Sequence, residues 1–460
     1  MPSLSAERRG PLLLAALAAL LPMSANAQPE SPYITRGESK RWVLQATVSL
    51  SSIPTANADR SASLNDPQTS DIKTSQRFDI EQGTVFWPLA GSAGSYDVDR
   101  RSATTEIRFD GSEVPVSVSV FERDTSGHPL HSGGAYTQAS FGPIENVTAK
   151  SVLRFSVRAE TFQTVFDEAA AREVPWPQGD WPREAASAFE PVMFLDGGFD
   201  GPYRDSKVAE TVRRLTGGDP RSQPPVVTAK WIAGELAKTF RPSGQIVVPD
   251  ARPGTPRVSG QSVGAIQAFN VTGAGPASQR GRGSPLDLPL LLAACYREAG
   301  LPARVVMGYS ADAANRATEA FRRSDKAETG PYAWVEFALY DEQQPNPAMA
   351  LTWVPVDILY MRANNVGRRP FDQPWEGFGT SEQLVDIVPV GYHLHPHNLA
   401  ATSYGGSIQV RNRRREPMPS LWGWNLVPET PAAVTQTLAF DVTSPSVTAS
   451  DPERRAGERP

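Results

Sequence analysis

The apolar positions of this chain follow two different periods. From residue 28 to about 165 the period is two. Trp42, Leu44, Ala46, Val48 and Leu50 alternate with Val43, Gln45, Thr47 and Ser49, the pattern of a half-buried strand. Val114, Val116, Val118 and Val120 repeat it, and Pro115 among them suggests an edge position. Thr84–Trp87 and Val152–Arg158 predict further strands, with polar stretches such as Ser61–Thr74 as loops. Strands of this kind solve their burial problem as a β-sandwich, predicted here over 28–165.

Residues 166–222 mix Pro, Gly, Trp and acidic residues without a clear period and read as a packed connector. Helical spacing begins near Pro225. Ile232, Leu236 and Phe240 fall at i, i+4 and i+8, and Val227 with Trp231 makes a neighbouring pair, so one helix face is apolar. Ala251–Arg282 is rich in Gly, Ser, Pro, Gln and Arg and predicts a long loop, lid-like or disordered. Gly283–Tyr309 then reads as a buried helix, closed by Gly300 at C′ with Pro302 beyond, followed at once by a strand over Ala303–Tyr309. Further strands are predicted at Ala333–Tyr340 and Leu351–Ile358. A β-rich extension spans 361–445, and the Ser-, Pro- and charge-rich 446–460 reads as a disordered tail.

Composition narrows the function. In 460 residues there are 45 Lys plus Arg against 50 Asp plus Glu, a net charge of −5, with basic residues scattered singly. A nucleic-acid binder shows a basic stripe, so that class is set aside. One cysteine cannot form an internal disulfide, a four-cysteine zinc site or an iron–sulfur cluster. The first 27 residues carry Arg8 and Arg9, the apolar run Pro11–Leu21 and the small-x-small sequence Ser24-Ala25-Asn26-Ala27, which together predict a cleaved signal peptide. The run is short for a bilayer span and no later segment is long and apolar enough to be one. The expectation is an exported protein, periplasmic or secreted, with no membrane span after cleavage. The lack of disulfides and the preference for Arg over Lys favour a bacterial periplasm.

Three blocks carry a resemblance. Ala299-Gly-Leu-Pro-Ala-Arg-Val-Val-Met-Gly-Tyr309, Tyr332-Ala-Trp-Val-Glu-Phe337 and Trp353-Val-Pro-Val-Asp357 occur in order on a helix–turn–strand and two following strands. Over about 225–360 the chain resembles the transglutaminase-like superfamily, whose core has the papain-like cysteine-enzyme fold. The fold implied is α+β, with this core at 223–360 between the N-terminal β-sandwich and the β-rich extension. The family opens the helix with Gly-x-Cys-x-Asp, then has His-Ala-Trp-Val-Glu and Trp-Val-x-x-Asp. Its thiolate is favoured by the helix N-terminus, its His moves the proton and its Asp orients the imidazole.

Counting back from Gly300 without gaps puts Gly283 and Asp287 on the motif's Gly and Asp, Pro285 on its Cys and Tyr332 on its His, and only Asp357 of the triad remains. Proline offers no nucleophile, and a phenol with pKa near 10 is a poor base at neutral pH. Ser284 stands beside the vacant position, but an unassisted hydroxyl is a weak nucleophile. Ser284 as N-cap, Pro285 at N1 and Asp287 at N3 make a capping-box variant, and Asp287 as the cap with Pro289 at N2 is the competing register. Cys295 sits inside an apolar helix and reads as core.

A second constellation lies in Gly391-Tyr-His-Leu-His-Pro-His397. An extended chain sets His393, His395 and His397 on one face, a set able to hold zinc, copper or nickel, with a polar loop as the plainer reading. His128 and His131 read as surface residues beside a Ser/Gly-rich turn. Trp334 and Trp353 are expected in the core, while Trp375, Trp422 and Trp424 are candidates for a groove. The leading expectation is a catalytically inactive module that binds or scaffolds peptide, protein or cell-wall-derived ligands, without a cofactor. The alternatives are an active protease or acyltransferase with a relocated, metal-assisted site, and a purely structural protein.

Overall fold

The computed structural model describes residues 31–52, 77–122, 133–148, 150–190, 197–198, 201–202, 207–242, 246–248, 257–259, 272–310, 331–393, 395–396, 417–418, 423–427 and 434–443. The signal-peptide reading, the 61–74 loop, His128, His131, His397, Trp422, residues 260–271 and the 446–460 tail lie outside them.

Strands dominate the first part: β1 (Ile34–Ser52), β2 (Gln82–Leu89), β3 (Ser92–Ala93), β4 (Tyr96–Phe109), β5 (Ser112–Val114), β6 (Val116–Phe121), β7 (Ala135–Phe141) and β8 (Ser151–Phe166). Helices and strands then mix. The helices include α1 (Glu168–Ala171), α2 (Val208–Thr216), α3 (Pro225–Thr239), α4 (Ala274–Arg280), α5 (Asp287–Glu298) and α6 (Ile358–Ala363). Strands β9 (Ala303–Ser310), β10 (Pro331–Tyr340), β11 (Leu351–Val356) and β12 (Ile387–Tyr392) interleave with them, and β13 (Gly423–Val427) and β14 (Val434–Thr443) follow.

Two sheets come from the first group, and each is finished by a late strand. One runs β14-β1-β8-β4-β3 with β5 also on β4, and the other runs β13-β2-β7-β6. Their facing sides meet where Trp87 stacks on Phe155 at 5.3 Å and Phe109 lies 5.8 Å from Phe141. The alternation in β1 has the expected outcome, with Trp42, Leu44, Ala46 and Val48 buried. Pro115 explains more than an edge: it separates β5, which pairs in the larger sheet, from β6, the end strand of the smaller one. A residue without an N–H falls where the chain leaves one ladder for the other. Strand β14 pairs along β1 from Val43↔Thr443 to Ser52↔Val434, so Phe440 and Val442 stand opposite the inward Ala46 and Leu44.

The central sheet runs β11-β10-β9-β12, antiparallel throughout. Helix α5 is buried along nearly its whole length, and Tyr296 packs edge-on against Phe337 while its hydroxyl reaches the Ala229 carbonyl of α3 at 3.0 Å. Gly300 closes α5 at φ 87°, a left-handed residue that spares the Cβ penalty. The described residues within 223–360 are mixed helix and strand, as the resemblance implied.

Three local readings change. Within the predicted loop, Ala274–Arg280 is a helix, and Ala274 and Ala277 bury one face of it. Within the predicted connector, Val208, Thr211, Val212 and Leu215 recur at i, i+3, i+4 and i+7, and α2 buries them. On α3, Trp231 is 44% exposed while Lys230 is fully buried, because Lys230 Nζ meets both Glu168 oxygens at 2.6 and 2.8 Å and the carbonyls of Phe371 and Gln373. Pairing with a carboxylate is what lets an ammonium lie inside.

Candidate functional site

The residues predicted to carry chemistry lie at the start of α5, the start of β10 and the end of β11. At the first of these, Ser284 and Asp287 satisfy each other. The Asp287 N–H donates to Ser284 Oγ at 3.2 Å, and the Ser284 N–H donates to Asp287 Oδ2 at 2.8 Å. This is the reciprocal pairing of a capping box, while the helix itself begins at Asp287 with Leu286 at its N-cap position, between the two registers weighed above. Asp287 also accepts the amides of Thr272 and Gly273, each at 2.8 Å, and the Thr272 hydroxyl at 3.1 Å. Burial raises its carboxyl above the usual range, against the pull of these donors. Pro285 is buried in the turn between Ser284 and Asp287.

Tyr332 is the second residue of β10, opposite Gly308 on β9. Asp357 directly follows β11 and caps α6 by accepting the Tyr360 amide at 2.9 Å. The antiparallel register, Val335↔Val356, brings the two side chains together. The Tyr332 hydroxyl donates to Asp357 Oδ1 at 2.7 Å and Oδ2 at 2.9 Å. Burial pushes the Asp357 carboxyl up to about 6, opposed by the Tyr360 amide, the phenol and the Leu359 amide. The phenol is pushed up too, first by burial and then by the adjacent carboxylate. A phenol in this state holds its proton at all physiological pH values and gives it as a hydrogen bond.

Cys295 lies eight residues into the helix from Asp287, about 12 Å along its axis. It is fully buried, and desolvation raises its thiol far above the ordinary value. It is core, as expected. Trp334 and Trp353 are core as well, and so is Trp375, which the sequence offered for a groove. The side chain of Trp424 lies outside the described residues.

The three-histidine reading does not meet its geometric premise at His393. That residue has φ 64°, a left-handed and not an extended backbone, and its side chain is buried. Its N–H donates to Val305 O at 2.7 Å. Val305 stands opposite Val335, three residues along from Tyr332. His393 is therefore about 10 Å along the strands and two strand spacings across from Tyr332, with Asp357 one strand further. Only the backbone of His395 is placed, opposite Met418, and among the described residues no group of three His, Cys, Asp or Glu is arranged to hold a metal.

Two further groups were not singled out by sequence. Arg304 and Glu336 face each other across β9 and β10, both buried, with Arg304 Nε 2.8 Å from Glu336 Oε2. The guanidinium lies between the Trp353 and Tyr392 rings at 4.0 and 4.3 Å, and Tyr96 and Trp334 donate to the same carboxylate. These are the Arg and Glu of the first two motif blocks, and their visible role is to clamp the sheet to the Tyr96 strand. The other is Glu376, between Trp375 and Gly377, on a segment whose Gly377 carbonyl accepts the Asp357 N–H at 2.7 Å. Burial, then the Glu382 and Asp357 carboxylates, push Glu376 up to about 7, while the Glu382 amide and Arg369 pull it down. Acidic-glycine-aromatic-glycine, Glu376–Gly379, was the signal available.

Residues 269–358 match the family described as the transglutaminase-like superfamily. The chain is similar to the crystal structure of a proposed cysteine protease from Cytophaga hutchinsonii, at 10% identity over 90% of this chain and 93% of that one, with a TM-score of 0.41. It is also similar to that of a proposed protease from Parabacteroides distasonis, at 11% identity over 69% of this chain and 58% of that one, with a TM-score of 0.18. No curated protein matches the chain.

Proposed function

We propose that this protein, whose residues 269–358 match the transglutaminase-like superfamily, is an exported module without thiol catalysis that holds peptide-like or cell-envelope-derived ligands. The observation that carries the reading is the hydrogen bond from Tyr332 to both oxygens of Asp357. In a working triad the carboxylate orients an imidazole that takes a proton from sulfur. Here its partner is a phenol that gives up no proton at neutral pH and takes none.

The nucleophile side agrees. Pro285 has no reactive atom, the Ser284 hydroxyl is engaged with the Asp287 amide, and the single Cys of the chain is inside α5. Asp287, Asp357 and the Arg304–Glu336 pair keep the scaffold of the site rigid while its chemistry is missing. Export is supported by the charged, apolar and small-residue pattern of residues 1–27. Equilibrium dialysis of the purified protein against a soluble digest of bacterial cell wall tests the reading. Saturable retention of wall peptides that are recovered chemically intact is expected; no retention at any concentration, or recovery of cleaved or cross-linked peptides, overturns it.

A further inference from the structure

We infer that Arg241 and Arg282, with Arg280 and Arg362 beside them, form an anion-binding subsite at the entry to α5 that takes the C-terminal carboxylate of a peptide ligand. This rests on the ligand-holding reading above, to which it adds the end of the peptide that is recognised.

These arginines are scattered in sequence and gathered by the fold. Arg241–Pro242 and Arg282–Gly283 form a short parallel ladder, with Arg241 opposite Arg282 and Pro242 opposite Gly283. Residues opposite each other in a ladder point to the same side, from strands about 4.8 Å apart. Both arginines are exposed whereas Pro242 and Gly283 are half-buried, so the two guanidinium groups share the solvent face. The Arg241 N–H donates to Gly281 O at 3.0 Å, which brings Arg280 alongside. Arg362 Nε donates to Phe240 O at 3.1 Å, the carbonyl of the peptide unit that leads into Arg241. Burial holds Arg362 below its ordinary range, and the charge of Arg368 adds to that.

Among the described residues, no side chain of Arg241, Arg280, Arg282 or Arg368 makes a hydrogen bond or ion pair. Asp287, the next acid along the chain from Arg282, is buried and already takes the amides of Thr272, Gly273 and Ser284. Like charges set opposite each other in a ladder are destabilising, so this gathering of one sign weakens the fold locally until an anion completes it. The backbone beneath is held stiffly. The Ser284 N–H on buried Asp287 fixes the end of Arg282–Gly283, and the Phe240 N–H on Leu236 O at 2.9 Å closes α3 just before Arg241. Two guanidinium forks on a fixed backbone suit a planar anion with two oxygens. A polyanion needs an extended basic stripe and is repelled by a chain of net charge −5, so a single carboxylate fits better. Arg282 stands three residues before Pro285, so a peptide anchored on it is held at the start of α5.

Fluorescence anisotropy of dansyl-trialanine with a free carboxylate, and of the same peptide as its C-terminal amide, tests the inference on the full chain. The acid is expected to bind at least about tenfold more tightly than the amide at low salt and to lose most of that advantage at high salt. The preference should vanish in the double change Arg241→Gln, Arg282→Gln and persist in Arg101→Gln, an exposed arginine of β4. No binding of the acid, equal binding of acid and amide, or a preference that survives the double change overturns the inference. Tighter binding of a single-stranded oligonucleotide, abolished by the double change, overturns it too. Should the double variant fail to fold, Arg282→Gln alone is read in the same way and must reduce the preference. Dialysis against the wall digest is scored separately: retained wall peptides with equal binding of acid and amide sink this inference alone, and a preference for the acid without retention sinks the functional reading alone.

Discussion

Replacing Tyr332 with Phe removes one hydroxyl and takes from Asp357 the donor that reaches both its oxygens, at 2.7 and 2.9 Å. Asp357 is 1% exposed, so water cannot stand in without repacking. The Tyr360 amide at 2.9 Å and the Leu359 amide remain. Losing a hydrogen bond to a buried anion costs about 1.5–3 kcal/mol, which sets the expected loss at ~2 kcal/mol at pH 8, where Asp357 is ionised. The pH dependence follows from burial. The folded value of about 6 lies above the ordinary 3.8, so between them the folded chain keeps a proton that the unfolded chain releases. The stabilisation linked to that proton is complete below 3.8 and lost as pH rises through 6. Without the phenol the proton is held to still higher pH, and the cost of the substitution shrinks to about 1 kcal/mol or less at pH 5. Urea denaturation of wild type and Tyr332→Phe at both pH values, followed by tryptophan fluorescence, measures the two numbers. A cost below ~0.5 kcal/mol at pH 8, or one equal at both pH values, would refute the idea that the phenol serves the carboxylate.

Other outcomes follow from the same geometry. Glu336→Gln leaves the Arg304 guanidinium buried without its anion and should cost roughly 3–5 kcal/mol in denaturation, whereas the double change Arg304→Met, Glu336→Leu should cost much less. Asp287→Ala strands the amides of Thr272, Gly273 and Ser284; we expect a loss of about 3 kcal/mol or more, with faster hydrogen exchange at the start of α4. Cys295 is fully buried with a raised thiol, so a thiol-specific reagent should label it only at the rate of unfolding. Rapid labelling of the native protein would place that thiol at an open surface instead.

The sequence made legible what local period and motif spacing can carry. The strand alternation of Trp42–Leu50, the helix of Asp287–Glu298 with its Gly300 stop, and the three motif blocks placed the central elements and the Tyr332–Asp357 neighbourhood. Helix α2 had its signal in Val208, Thr211, Val212 and Leu215, but Pro and Gly on either side hid it. What stayed hidden is tertiary. No local feature shows that Thr443 pairs with Val43, or that the Lys230 ammonium is buried by Glu168 from another helix. Glu376 was missed for the same reason, since its setting is made by Asp357 and Glu382 and not by its neighbours along the chain. His393 was misjudged locally, because a left-handed residue after Tyr392 breaks the alternation that its spacing implied.

The most direct test of the central claim is turnover by the purified protein. A fluorescent primary amine offered with a glutamine-containing peptide, and a peptide library read by mass spectrometry, should give neither incorporation nor cleavage above a no-protein control, with Asp357→Asn indistinguishable from wild type. Turnover by the wild-type chain that disappears in Asp357→Asn, while the fold is retained, would contradict the account.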